Sequence, residues 1–276
     1  TLQLMECPPV RSILVLGYPD IYQAGDAVPE VRKFKPVALE GIDDVLVDAM
    51  KLKHIHPRDL ALLPGGKGWL MIEFGDKTKE EADAPARKLM DELKSGSNPP
   101  TMKLLDDPEE EQVIWEIRDA GLGASARVPN EPDTWEGWED TAVSPQDIGN
   151  YLRDFRKLLD KYGYLCTLYG HFGQGLIHTR IDFGLKNHEG IQKYLAYTSE
   201  GADLVVARPD VLEVDRLAVA GGADRIVDDV AAHRALERIS DHQRRRRKVV
   251  GPAVGRDAAL EVAVARQHGH GDQVLL

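Results

Sequence analysis

The sequence predicts an α+β fold: a mostly antiparallel sheet with helices on one face, opening with ferredoxin-like split βαβ elements. Two observations carry this expectation. Apolar runs of strand length alternate with stretches of helical spacing through about residue 206. The segment Tyr169–Phe183, YGHFGQGLIHTRIDF, reads as a strand, a glycine-punctuated turn and a second strand. So short a turn joins antiparallel neighbours, because a parallel pair needs a long crossover.

Ser12–Tyr18 (SILVLGY) reads as a buried strand, followed by a helix near Asp20–Phe34 that Asp20 is placed to cap. Lys35–Glu40 is expected as the second strand and Ile42–Lys51 as a short helix. Pro64–Gly68 (PGGKG) lacks the spacing and terminal Ser or Thr of a phosphate-cradling loop, and reads as a turn before the strand Trp69–Phe74. Lys77–Lys94 has apolar residues at helical spacing, with Glu80 and Glu81 toward its N-terminal turn, where the helix dipole favours acids. Thr101–Leu105 follows as a strand, Pro108–Ala120 as a helix and 128–143 as a loop. Ser144 and Pro145 suit the N-cap and first turn of a helix over Ser144–Lys161. After the hairpin a helix is expected near Glu189–Val205.

Composition narrows the function. The chain has 276 residues, 42% of them hydrophobic, enough for one large domain or two modest ones. A net charge of −11 argues against nucleic-acid binding, which needs a surplus of Lys and Arg. No apolar run approaches the roughly 18–20 residues of a membrane span, and no secretory signal opens the chain. A cytoplasmic protein with no integral membrane segment is therefore expected. Cys7 and Cys166 are too few for a disulfide framework or a cysteine-ligated cluster, and Cys166 reads as a buried small hydrophobe. The chain begins at Thr1, which we read as a fragment boundary or a start site lost upstream.

Beyond residue 206 the character changes. All seventeen aromatic residues precede that point, and residues 207–276 hold eleven Arg but a single Lys. The expectation is two segments: a body over 1–206 and an Ala/Val/Arg-rich tail over 207–276, read as frameshifted or disordered, with a genuine Ala/Val-rich helical tail as the alternative. Arg244–Lys248 reads as a solvated charge run, and His268 and His270 are discounted with the tail.

Within the body, His171 and His178 stand seven residues apart across a turn made pliable by Gly170, Gly173 and Gly175. Imidazoles so placed suit metal ligation or acid–base work. A structural role for such a pair is the plain alternative.

GHFGQGLIHTRIDF (170–183) and WEDTAVSP (138–145) resemble the C-terminal domain of FAD-linked oxidoreductases in the vanillyl-alcohol-oxidase superfamily, the group of D-lactate, glycolate and D-2-hydroxyglutarate dehydrogenases. LVLGYPDIYQAGDAVPEV (14–31), ALEGID (38–43), LMIEFGD (70–76) and WEIRDAGLGAS (115–125) resemble the same domain in the same order. The closest likeness is to the long bacterial type with a following iron–sulfur module. The resemblance implies a cap and substrate domain, FAD held mainly by an upstream domain, and an iron–sulfur cluster only in a downstream module. The implied substrate is a small 2-hydroxy acid. The electron acceptor stays unspecified, with peripheral association at the inner membrane face through that acceptor as one implication.

By resemblance His171 and His178 match a histidine pair that binds zinc or manganese, with a third ligand, a glutamate, from a downstream SGEHGDGQ-like motif that this sequence lacks. The usual GDGNLH turn reads Gly173-Gln174-Gly175-Leu176-Ile177-His178 here. Arg118 falls at the position of the substrate-carboxylate arginine; an ion pair with Glu116 or Asp119 is its plain alternative. Arg180 replaces a substrate-contacting asparagine and shares a strand face with His178. Trp135, Trp138, Glu139 and Asp140 are expected to line a ligand site or to pack a long loop. The runner-up function is an inactive fragment or a non-enzymatic interaction module retaining the fold.

Overall fold

The computed structural model describes residues 7–105 and 107–208. The expectations for the tail fall on residues that, apart from Ala207 and Arg208, lie outside this range. Arg208 still packs on the body, pairing with Asp147 and Asp154 and covering the Tyr151 ring.

Among the described residues, seven strands form one antiparallel sheet of order β4-β1-β3-β2-β6-β7-β5. They are β1 (Val10–Tyr18), β2 (Ala38–Asp43), β3 (Gly68–Asp76), β4 (Thr101–Leu105), β5 (Thr141–Ala142), β6 (Cys166–Gly170) and β7 (Leu176–Ile181). The order of the first four is that of a split βαβ unit, and the hairpin β6–β7 extends it from β2. The helices are α1 (Ile21–Arg32), α2 (Asp44–Leu52), α3 (Lys79–Lys94), α4 (Pro108–Asp119), α5 (Gly121–Ser125), α6 (Ile148–Tyr162) and α7 (His188–Val206).

Helices cover both faces of the sheet, not the one face expected. β1 shows why: Leu14 and Leu16 join a core with α1, α3, α6 and α7, while Ile13 and Val15 join a second core with α2, α4 and α5. An unbroken apolar strand is buried on both sides, and SILVLGY is such a strand.

Local chemistry sets the helix starts. Asp20 accepts the Gln23 N–H at 2.7 Å and caps α1 as expected, and Thr78 and Glu81 form a capping box on α3. The second strand lies three residues later than expected, ending in Asp43, which caps α2 through the Leu46 N–H at 2.9 Å. Ser144 does not cap α6. Its carbonyl takes the Asp147 N–H at 2.8 Å in a turn, and the helix begins after Asp147.

The stretch expected as a loop over 128–143 is stitched to the outer edge of β7. Trp135 pairs with Ile181, Thr141 with Ile177 and Ala142 with Leu176. Trp138 is buried in the core. This seam carries Glu139 and Asp140 to the face of β7 that holds His178.

Candidate functional site

The hairpin turn depends on two glycines. Gly170 has φ +147° and Gly175 φ +82°, and a Cβ on Gly175 would lie 1.9 Å from the Val143 carbonyl oxygen. The His171 carbonyl accepts the Gln174 and Leu176 N–H groups, fixing His171 at the mouth of the turn. His178 lies opposite Tyr169 in the β6–β7 register. The two imidazoles meet edge to face with centroids 5.1 Å apart.

Each imidazole is anchored by carboxylates at Nδ1. His171 Nδ1 lies 2.8 Å from Glu40 Oε1, and Glu40 Oε2 accepts Arg118 Nε–H at 2.9 Å. Glu40 is buried in β2, so a charge stands inside the sheet only because two partners meet it. In the neutral tautomer that donates Nδ1–H to Glu40, His171 keeps its lone pair on Nε2. Arg118 Nη2, 3.3 Å from the same Nδ1, is then left to meet an incoming acceptor. His178 Nδ1 lies 3.0 Å from Asp140 Oδ1 and 3.1 Å from Glu139 Oε2. One ligand atom each from Glu139, Asp140 and His178 lie within 4.8 Å of one another, close enough to hold a metal ion. Asp140 reaches this position with φ +53°.

The fold thus brings Arg118, His171 and His178 together, from α4, the hairpin turn and β7. Arg180 shares the His178 face, as alternation requires, but its guanidinium turns to Glu136, and across the hairpin it stands opposite Thr167. Arg118 pairs with Glu40 and more loosely with Asp119 at 3.8 Å.

The Pro64–Gly68 turn spends its polar groups on the protein. Lys67 N–H donates to the Tyr18 carbonyl, Trp69 Nε1 to that of Pro64, and the Thr101 hydroxyl to that of Gly65. Cys166 is buried, and burial pushes its thiol well above the usual range.

Two residues of this region escaped the sequence reading. Glu40 carried one signal, an acid in the middle of the strand ALEGID, whose other acid, Asp43, stands at its end. Asp43 is fully buried beneath the hairpin and accepts the Leu46 and Leu168 N–H groups. Desolvation outweighs those bonds and pushes its carboxyl up to about 8, so it holds a proton at neutral pH.

Known proteins agree with this architecture. The model of FAD linked oxidases, C-terminal domain, matches residues 7–208. The D-2-hydroxyglutarate dehydrogenase of Pseudomonas putida is 25% identical over 195 residues, covering 67% of this chain and 19% of that protein. The mitochondrial D-lactate dehydrogenase [cytochrome] of Arabidopsis thaliana is 25% identical over 194 residues, covering 68% of this chain and 32% of that protein. The chain therefore spans about a fifth to a third of the length of these relatives. The substrate-bound crystal structure of p-cresol methylhydroxylase shares the fold at TM-score 0.52 and 14% identity, covering 79% of this chain and 48% of that one. The likeness read from the hairpin and its companion motifs is thus matched over the whole described body, and the chain belongs to the family of FAD linked oxidases, C-terminal domain.

Proposed function

We propose that this domain forms the substrate side of an FAD-dependent oxidation of a small 2-hydroxy acid such as D-lactate, glycolate or D-2-hydroxyglutarate. The observation that carries the reading is the convergence of Arg118 and His171 on buried Glu40, with the His178 imidazole edge to face against that of His171. Arg118 receives the substrate carboxylate through Nη2 while Glu40 holds Nε, so the guanidinium is oriented before substrate arrives. The Nε2 lone pair of His171 accepts the hydroxyl proton, and Glu40 at Nδ1 stabilises the imidazolium that results. FAD, when bound, supplies the acceptor for the hydride leaving the substrate Cα.

The donor set also suits zinc or manganese. A metal-bound imidazole ordinarily gives its second nitrogen to a carboxylate, and here both rings do so. His171 and His178 would hold such an ion through Nε2, and its charge would polarise the substrate hydroxyl. Two nitrogens leave the set one protein ligand short of an ordinary site.

Calorimetric titration of the full chain with D-lactate and with D-2-hydroxyglutarate tests the carboxylate role. At least one acid should bind, and Arg118→Lys should weaken it about 10-fold or more, because an ammonium cannot reproduce the fork. Equal affinity in the variant removes Arg118 from the site. Absence of binding by either acid, with or without added zinc, favours the inactive-module reading.

A further inference from the structure

A cavity of about 290 Å³ lies between α2, the segment over 125–134 and the start of β6. Its walls include Val45, Ala49, Leu52, Val128, Pro132 and Leu165. Thr167 and Arg180 also line it, although their residues are only 5% and 6% exposed. Among the described residues, neither the Thr167 hydroxyl nor Arg180 Nε has a hydrogen-bond partner. A buried polar group left unsatisfied is costly, so two at one cavity favour an incoming acceptor atom.

Charge decides which kind of acceptor. Glu136 already matches Arg180, and Arg156 at the cavity is paired with Asp160. Asp48 is matched by Lys51, but Glu131 and Asp182 line the same space, so a carboxylate would enter against surplus negative charge. Val45, Leu52 and Leu165 are large hydrophobics left 47%, 54% and 56% exposed, and they give an apolar approach.

We propose that this cavity binds a small uncharged molecule with an apolar body and a carbonyl oxygen, an aryl or alkyl ketone or aldehyde. The oxygen accepts from Arg180 Nε–H and the Thr167 hydroxyl, and the body lies against Val45, Ala49 and Leu52. None of Arg118, His171 and His178 lines the cavity, so failure here leaves the hydroxy-acid reading untouched.

NMR titration of the full chain with acetophenone, and with benzoate as its charged near-isostere, tests the site. Saturable shifts are expected at Thr167 and Arg180, with acetophenone bound about 10-fold or more tighter than benzoate. Thr167→Val keeps the shape and removes the donor, and should weaken acetophenone by about 3–10-fold. Val45→Trp places an indole at an exposed wall and should abolish binding. Tighter binding of benzoate, no saturable shifts with acetophenone, or an affinity unchanged by either substitution overturns the proposal.

Discussion

At the scale of single residues, Glu40 decides how the candidate site is arranged. Its two oxygens divide between the His171 imidazole and the Arg118 guanidinium, so one buried carboxylate sets a tautomer and aims a cation. Sequence distance hid this role: Glu40 and His171 are 131 residues apart, and they meet because β6 adds to the edge of β2. The histidine pair was legible because both members belong to one hairpin. Its carboxylate partners on β2 and on the seam beside β5 are long-range neighbours that no spacing rule reaches. The two imidazoles also yield a metal prediction. Zinc or manganese copurifying with the chain should be lost in His171→Ala and largely retained in Asp140→Asn if the ion binds through both Nε2 atoms, as read by elemental analysis. Retention in His171→Ala with loss in Asp140→Asn would instead place the ion among Glu139, Asp140 and His178.

At the scale of elements, the hairpin and the long amphipathic helices were legible, and the ends of short elements were not. β2 lies three residues from its expected position because the charge in ALEGID hides a run that is buried from Leu39 through Asp43. The seam over 135–142 reads as a loop because few of its residues pair with β7, too few for any period to register. Glycine substitutions separate a required backbone from a permissive one. Gly175→Ala should cost about 2 kcal/mol or more in denaturant unfolding, from its positive φ and the collision with the Val143 carbonyl. Gly123→Ala in α5, where an added Cβ meets nothing within 4 Å, should be neutral or stabilising by up to about 1 kcal/mol. Equal effects at the two positions would show that the hairpin turn is not held as described.

At the scale of the whole molecule, the sheet separates two cores, and the candidate site occupies the side covered by α2, α4 and α5. The antiparallel α+β class followed from the hairpin and the β-α-β-α rhythm. Burial on both faces was implicit in SILVLGY, whose lack of alternation is what a two-sided strand requires. Asp43 ties this architecture to pH. Its carboxyl, at about 8 in the fold against an ordinary 3.8, keeps a proton that the unfolded chain releases. Its contribution to stability is therefore complete below about pH 4 and is lost as pH rises through about 8. In paired denaturation curves, Asp43→Asn should gain on the wild type steadily from pH 5 to pH 8 and run parallel to it above about pH 9. A constant difference across that range would show that Asp43 is ionised in the fold.

Among the described residues, no helix is long and apolar enough to cross a membrane, and pairing within the single sheet accounts for every strand. The proposed oxidation needs Arg118, His171 and His178 to meet one small hydroxy acid. The most direct measurement follows the imidazole NMR signals of His171 and His178 as D-lactate or D-2-hydroxyglutarate is added to the full chain. Both sets of signals should move together, saturably, and Arg118→Lys should shift the midpoint upward by about 10-fold or more. Signals that stay fixed while either acid binds elsewhere on the chain would contradict the account.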